Sequence, residues 1–209
     1  MTRTTTASDG VVGRVGLIVV VGLATGVLSQ FAQDLAPEGW SQAGNTISPW
    51  LLVAFLLGAT MPERRWAVAA GVVALLLAVV GFYATTTVRF GIGGGTGSLV
   101  FWGIGALVGG SVFGLAGHEW RTSPDRRIRA LSIGLLAAVF IAEGVYQRGV
   151  APDSSVGPAY VVVGALVPLA VGRSWPDRLW GYVAVLPALA LGAAGYLVFQ
   201  ALYGVITGV

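Results

Sequence analysis

Apolar runs separated by short polar clusters divide the chain into seven blocks, at about residues 11–33, 49–61, 66–85, 98–117, 129–147, 159–171 and 179–206. About twenty apolar residues at 1.5 Å each are needed to cross the hydrocarbon core of a bilayer. Five blocks reach or approach that length; the second and sixth fall short, which predicts that they are tilted, extended by polar ends or partly re-entrant. The pattern predicts an all-α fold, a polytopic membrane bundle of seven transmembrane helices in one domain over residues 11–209. The opening MTRTTTASDG is polar and is expected to be a disordered tail. The apolar run after it has no cleavage-like end and reads as an uncleaved first span.

Charge placement orients the bundle. Arg3, Arg14, Arg64, Arg65, Arg121, Arg126, Arg127, Arg129, Arg173 and Arg178 fall on one side of the seven-span plan, and only Arg89 and Arg148 on the other, with Asp34, Glu38 and Asp153. Arginine accumulates on the cytoplasmic side of membrane proteins, so the N-terminus is expected inside and the C-terminus outside.

The polar clusters also repeat. Pro62-Glu63-Arg64-Arg65-Trp66 resembles Pro176-Asp177-Arg178-Leu179-Trp180, and Ser123-Pro124-Asp125-Arg126-Arg127 is a third copy. Gly81-Phe82 and Gly195-Tyr196 follow their Trp at equal spacing, and Gly105-Ala106-Leu107-Val108 recurs as Gly164-Ala165-Leu166-Val167. These coincidences suggest three tandem helical hairpins (spans 2–3, 4–5 and 6–7) after a lone span 1. Locally the motif starts a helix: Pro in the first turn, an acid at the positive end of the dipole and, in one copy, Ser123 ready as a cap. The Trp residues fit an interfacial belt.

Composition removes several chemistries. The chain is 56% hydrophobic and 10% charged, and its twelve basic residues are all Arg, with no Lys and no Cys. Lysine Schiff bases, thiol catalysis, disulfides and thiolate metal sites are therefore excluded. His118 is the sole histidine, which leaves no histidine cluster for a metal; no metal and no cofactor are expected. The net charge of +3 is a topology signal, and no nucleic-acid partner is expected. Arg in place of Lys, with much Ala, Val and Gly, suggests a GC-rich bacterial genome and hence the inner membrane.

Among 32 glycines, Gly22 and Gly26 in span 1 and Gly110 and Gly114 in span 4 form small-xxx-small pairs that let helices approach closely. The glycine-rich stretch 91–97 has neither the following Lys-Ser/Thr nor the preceding strand of a phosphate loop; it reads as a flexible outer loop or a lid.

Polar residues at membrane depth carry the functional reading. Glu143 lies about three-quarters of the way across span 5, where a carboxylate costs several kcal/mol and usually faces the bundle interior. On a helix it shares a face with Phe140, Tyr146 and Gln147. Span 1 places Gln30, Gln33 and Asp34 in the same outer half, and span 7 places Tyr196 and Gln200 there. With Trp50, Phe82, Tyr83, Phe101 and Trp102 they suggest one aromatic-walled, polar-tipped cavity. A carboxylic acid in a dry site can hold a proton. Facing rings, it could protonate an alkene while the ring faces stabilise the resulting carbocation. Glu143 sits about 20 Å from the start of its span, a depth that the distal isoprene of a prenylated substrate could reach.

The seven-span plan, the small size and the acid among aromatics resemble the integral-membrane terpene cyclases of microbial meroterpenoid and indole-terpenoid pathways. That resemblance implies acid-initiated cyclisation of an isoprenoid substrate drawn from the bilayer, with Glu143 as proton donor and Asp34 as the candidate second acid. Gln147 or Tyr146 would orient the donor. Trp50, Tyr83, Phe101, Trp102, Phe140, Tyr146, Gln147, Tyr196 and Gln200 would contact substrate, and Glu143→Gln would abolish turnover without unfolding the protein. The segment from Asn45 to Ala59 also resembles uncharacterised multi-pass proteins of high-GC bacteria, which implies no activity. An outward cavity with Glu143, Arg89 and Gln200 resembles the substrate-capturing membrane subunits of vitamin importers, with Gly22 and Gly26 as a docking surface. A scaffold without a small-molecule site is the third reading.

Overall fold

The computed structural model describes the backbone of residues 7–207 and the side chains of residues 10–194. Among the described residues there are seven α-helices: α1 Ala7–Leu35, α2 Ser48–Thr60, α3 Arg64–Phe90, α4 Thr96–Thr122, α5 Arg126–Val150, α6 Val156–Val171 and α7 Trp175–Thr207, with a short 3-10 segment, Ser41–Asn45, before α2. Among the described residues four helices are long and apolar enough to cross a membrane, and α2 and α6 are shorter apolar helices. The chain is a multi-pass membrane protein. Each predicted span lies inside one helix except the second, whose last residue, Met61, is the extended residue that follows α2, and the other helices overrun the predictions where polar residues continue the turn. In α3, Thr85, Thr86 and Thr87 turn their hydroxyls back to the carbonyls of Gly81, Phe82 and Tyr83 at 2.7–2.9 Å. The helix then runs to Phe90, where Gly91 takes the left-handed conformation (φ 66°) that closes it.

The loops alternate between two ends. One, the basic end, carries the N-termini of α1, α3, α5 and α7 and most of the arginines; the other is the far end. The helix-start motif works at the basic end in three local forms. Asp125 caps α5 by accepting from the Arg127 amide at 2.8 Å, so the cap is Asp125 where Ser123 was expected. Ser174 accepts from the Asp177 amide at 3.3 Å, and Glu63 stands at the cap position of α3 without a side-chain bond. Asp177 is 2% exposed and accepts from Arg129 at 3.1 Å, which ties α7 to α5.

Packing departs from three tandem hairpins. α3 lies between α1 and α4, α2 lies across α3 and α4, and α5 holds both α6 and α7, which barely touch each other. Small residues explain the choice of neighbours. Gly58 on α2 meets the backbone of Gly114 on α4, and Gly71 on α3 meets Gly110. Gly134 on α5 faces Ala184, and Gly164 on α6 faces Ala137 and Ile141. Gly22 and Gly26 are pressed against Ala74 and Ala78 of α3, so the span-1 pair is spent inside the bundle and is not a docking surface.

The short helices α2 and α6 have 13 and 16 residues, about 20 and 24 Å at the α-helical rise, against a hydrocarbon core of about 30 Å. Their terminal backbone groups must find partners within the protein. At the basic end the last turn of α4 supplies several. Arg121 donates to the Ala59 carbonyl at 2.8 Å and Trp120 to that of Val171 at 3.0 Å. His118 Nδ1 lies 3.0 Å from the Met61 carbonyl, which it meets as the Nδ1–H tautomer. Arg178 adds a bond to Gly172 at 3.3 Å.

Candidate functional site

After Leu35 the chain turns back along α1. Gln33 Nε2 donates to the Gly44 carbonyl at 3.3 Å, and Gly44 sits so close to the Ser29 carbonyl that no side chain fits there. Ser29 is six residues before Leu35, about 9 Å along the axis. The 3-10 turn and the residues after it therefore lie well below the end of α1, with Gly44, Thr46 and Ser48 buried and Ser41, Asn45 and Ile47 exposed. Irregular backbone at such depth is tolerated where protein covers it or where it lines a cavity, and here both hold.

Glu143 provides the cover. Its Oε1 accepts from the Ile47 amide at 2.8 Å, and its Oε2 from the Ser48 amide at 2.7 Å and the Ser48 hydroxyl at 2.5 Å. The Ile47 and Ser48 amides are among the unpaired donors that open α2, so a carboxylate from the middle of another helix caps them and lies at the positive end of the α2 dipole. Thr46 is fixed beside it by the Ala43 carbonyl and the Tyr160 hydroxyl, both at 2.7 Å.

On the other side of this segment is a cavity of about 130 Å³ bounded by Gly44, Asn45, Thr46, Ile47, Trp50, Val79, Phe82, Tyr83 and Trp102. Four of its nine lining residues are aromatic. Trp50 is aimed by a 2.7 Å bond from its indole nitrogen to the Ser29 hydroxyl. Phe82 lies 6.2 Å from Trp50 and 5.4 Å from Tyr83, centroid to centroid. The loop after α3 passes over one corner, with Gly94 against the Tyr83 ring. No lining residue carries a charge.

The structure thus brings together Trp50, Tyr83 and Trp102 of the expected substrate contacts and distributes the others. Phe101 is buried behind Trp102, ring centroids 5.3 Å apart. Phe140 is buried edge-on to Tyr160 at 5.5 Å. It also lines a second groove of about 320 Å³, wholly apolar, between α2, α5 and α6. Tyr146 is 46% exposed, whereas Gln147 is 3% exposed with no hydrogen-bond partner for its Oε1. Asp34 sits at the rim in an ion pair with Arg89, whose guanidinium lies 4.7 Å from the centroid of Phe31 and 5.1 Å from that of Phe90. Tyr196 and Gln200 lie outside the residues whose side chains are described. Glu143 is absent from the cavity wall, since both its oxygens point to the start of α2. Thr46 and Tyr160 were not anticipated. Pro49 in the first turn of α2 marks the helix start, but no local signal ties that start to a residue on α5.

Among the described residues no group of three His, Asp or Glu side chains could hold a metal ion. The model of one protein family, a family of unknown function, matches residues 5–202. No curated protein and no solved structure matches the chain.

Proposed function

The chain belongs to that family, DUF6518, whose function is unknown, and we propose that it is a seven-span inner-membrane protein, basic end in the cytoplasm, that binds a small organic cation in the aromatic cavity of its outer half. The observation that carries this reading is the convergence of Trp50, Phe82, Tyr83 and Trp102 on one space of about 130 Å³. Ring faces carry the negative part of the aromatic quadrupole, and boxes of such rings hold quaternary ammonium groups. No guanidinium opposes a cation there, because Arg89 is held at the rim by Asp34. The Glu143 carboxylate stands behind the Ile47 and Ser48 backbone and adds negative charge on that side. The backbone that completes the wall is non-helical at membrane depth, the setting in which transporters place their sites.

Acid-initiated cyclisation of an isoprenoid is the second reading, supported by the same rings, which would stabilise a carbocation equally well. It needs an acid in the cavity wall. Glu143 would have to break three hydrogen bonds to serve, and Asp34 is paired at the rim, so binding has the stronger support.

The test is a tryptophan-fluorescence titration of purified protein in detergent with choline and with 3,3-dimethylbutanol, its neutral carbon analogue. The expected result is a saturable change with choline only, weakened at least tenfold in Trp102→Ala and Phe82→Ala. Equal responses to both compounds, or a choline response that survives both substitutions, would overturn the reading. Conversion of a prenylated phenol to a cyclised isomer, seen by mass spectrometry, would favour the enzyme instead.

A further inference from the structure

The groove between α2, α5 and α6 has a different character from the aromatic cavity. Leu52, Phe55, Leu136, Phe140, Leu166 and Val167 are among its lining residues, and all of the lining is apolar. It runs down α6 to Ala170 and Val171 at the basic end. Charge begins where the groove ends. Trp120 holds the Val171 carbonyl at 3.0 Å, and the Arg173 guanidinium lies 5.3 Å from the Trp120 ring centroid. Arg173 also donates to the backbone carbonyl of Arg121 at 2.7 Å, and the Arg121 guanidinium donates to the Ala59 carbonyl at 2.8 Å, at the basic end of α2, which walls the groove. Both arginines are exposed. Among the described residues the ion pairs are Arg64–Glu119, Arg65–Glu63, Arg89–Asp34 and those of Arg126 and Arg129 with Asp177. Arg121 and Arg173 belong to none of them.

We infer that this groove and its arginine corner form a binding site for one anionic phospholipid of the inner leaflet, an acyl chain lying along α6 and the phosphate at Arg121 and Arg173. Charge complementarity selects this occupant. An apolar slot alone would take any hydrocarbon, but two guanidiniums without a carboxylate, set at its mouth, select a chain that ends in an anion. Basic pockets between helices on the cytoplasmic side bind anionic headgroups in this way, and guanidinium matches phosphate in a bidentate manner. The site is separate from the aromatic cavity and rests only on the membrane embedding and orientation.

Native mass spectrometry of the detergent-purified protein with dioleoyl phosphatidylglycerol and dioleoyl phosphatidylcholine tests it. One retained phosphatidylglycerol is expected, at least tenfold preferred over phosphatidylcholine. Arg173→Gln, alone and with Arg121→Gln, should remove the preference, and Ala170→Trp should reduce retention of both lipids by filling the slot. Ala170→Trp touches neither guanidinium, so it keeps the test open if loss of the Arg121 bond to α2 prevents folding. Equal retention of the two lipids, or a preference unchanged in Arg173→Gln, overturns the site. Full retention in Ala170→Trp reduces it to surface electrostatics, and a dimer that Ala170→Trp dissociates shows that a second copy fills the groove.

Discussion

Glu143 accepts both the backbone amide and the side-chain hydroxyl of Ser48, at 2.7 and 2.5 Å, and so fastens the start of α2 to the middle of α5. Two of its three hydrogen bonds come from backbone amides, which can only donate, and an amide side chain in its place would offer one acceptor oxygen and turn an NH₂ toward the other amide. Glu143→Gln is therefore expected to destabilise the protein by about 1–3 kcal/mol, chiefly the cost of leaving the partly buried donors of Ser48 without a full partner. Thermal unfolding in detergent measures it. An unchanged midpoint would mean that the carboxylate is not the cap of α2. This outcome is opposite to the sequence-based expectation, in which the same substitution spares the fold.

Ser48→Ala removes one of the three donors and leaves the two amides in place. It should cost about 1 kcal/mol alone and less than that in the Glu143→Gln background, because the partner it loses is already compromised. A double-mutant cycle reads the difference, and strict additivity would show that the two residues do not act together.

The architecture was legible in the sequence because the run length of apolar residues is a local quantity. Seven apolar blocks became seven helices; the helix start at Asp125 lies within the motif that announced it, whereas the cap at Ser174 stands two residues before its motif. The cavity was legible in part: Trp50, Tyr83 and Trp102 converge on it, while Phe101, Phe140 and Tyr146, rings in the same half of the bundle, do not. The role of Glu143 was not legible. Its depth on α5 can be read from spacing, but whether it faces a hollow or a helix end depends on where residues 41–47 fold back, and that is decided by contacts with Ser29 and Gln33 across the bundle. The hairpin repeat misled for a related reason, since similar helix starts do not determine which faces hold the small residues that draw helices together.

Those small residues make a sharp prediction at the α2–α4 and α3–α4 crossings. A Cβ on Gly58 would overlap the backbone of Gly114, and one on Gly71 that of Gly110. Backbone cannot yield as a side-chain tip can, so Gly58→Ala and Gly71→Ala should each cost about 1–3 kcal/mol through overpacking. Gly103, whose Cβ position is open, should accept Ala with no loss. Size-exclusion profiles and melting temperatures of the three variants check the contrast.

The rim pair should behave differently from the buried one. Asp34 and Arg89 have side chains 32% and 28% exposed, where an ion pair contributes about 0–1 kcal/mol, so Asp34→Asn should leave the melting temperature nearly unchanged. A large loss there would show that the pair closes the aromatic cavity rather than decorating its edge.

Asp177 carries the heaviest electrostatic obligation at the basic end. It is 2% exposed, accepts from Arg129 at 3.1 Å, and has Arg126 at 3.9 Å. Arg129 is itself only 17% exposed on its side chain and would be left beside uncharged surroundings if the acid were removed. Breaking a buried pair on one side costs about 3–5 kcal/mol, partly recovered here because Arg129 also donates to the Ser123 and Pro124 carbonyls at 3.0 Å. Asp177→Ala should therefore unfold the α5–α7 contact well below the melting temperature of the parent, with protease cutting first near the start of α7. Replacing both partners, Asp177→Leu with Arg129→Met, should restore much of the loss, because a packed apolar pair leaves no charge stranded. If the double substitution is as unstable as Asp177→Ala, α7 is held to α5 by something other than this ion pair.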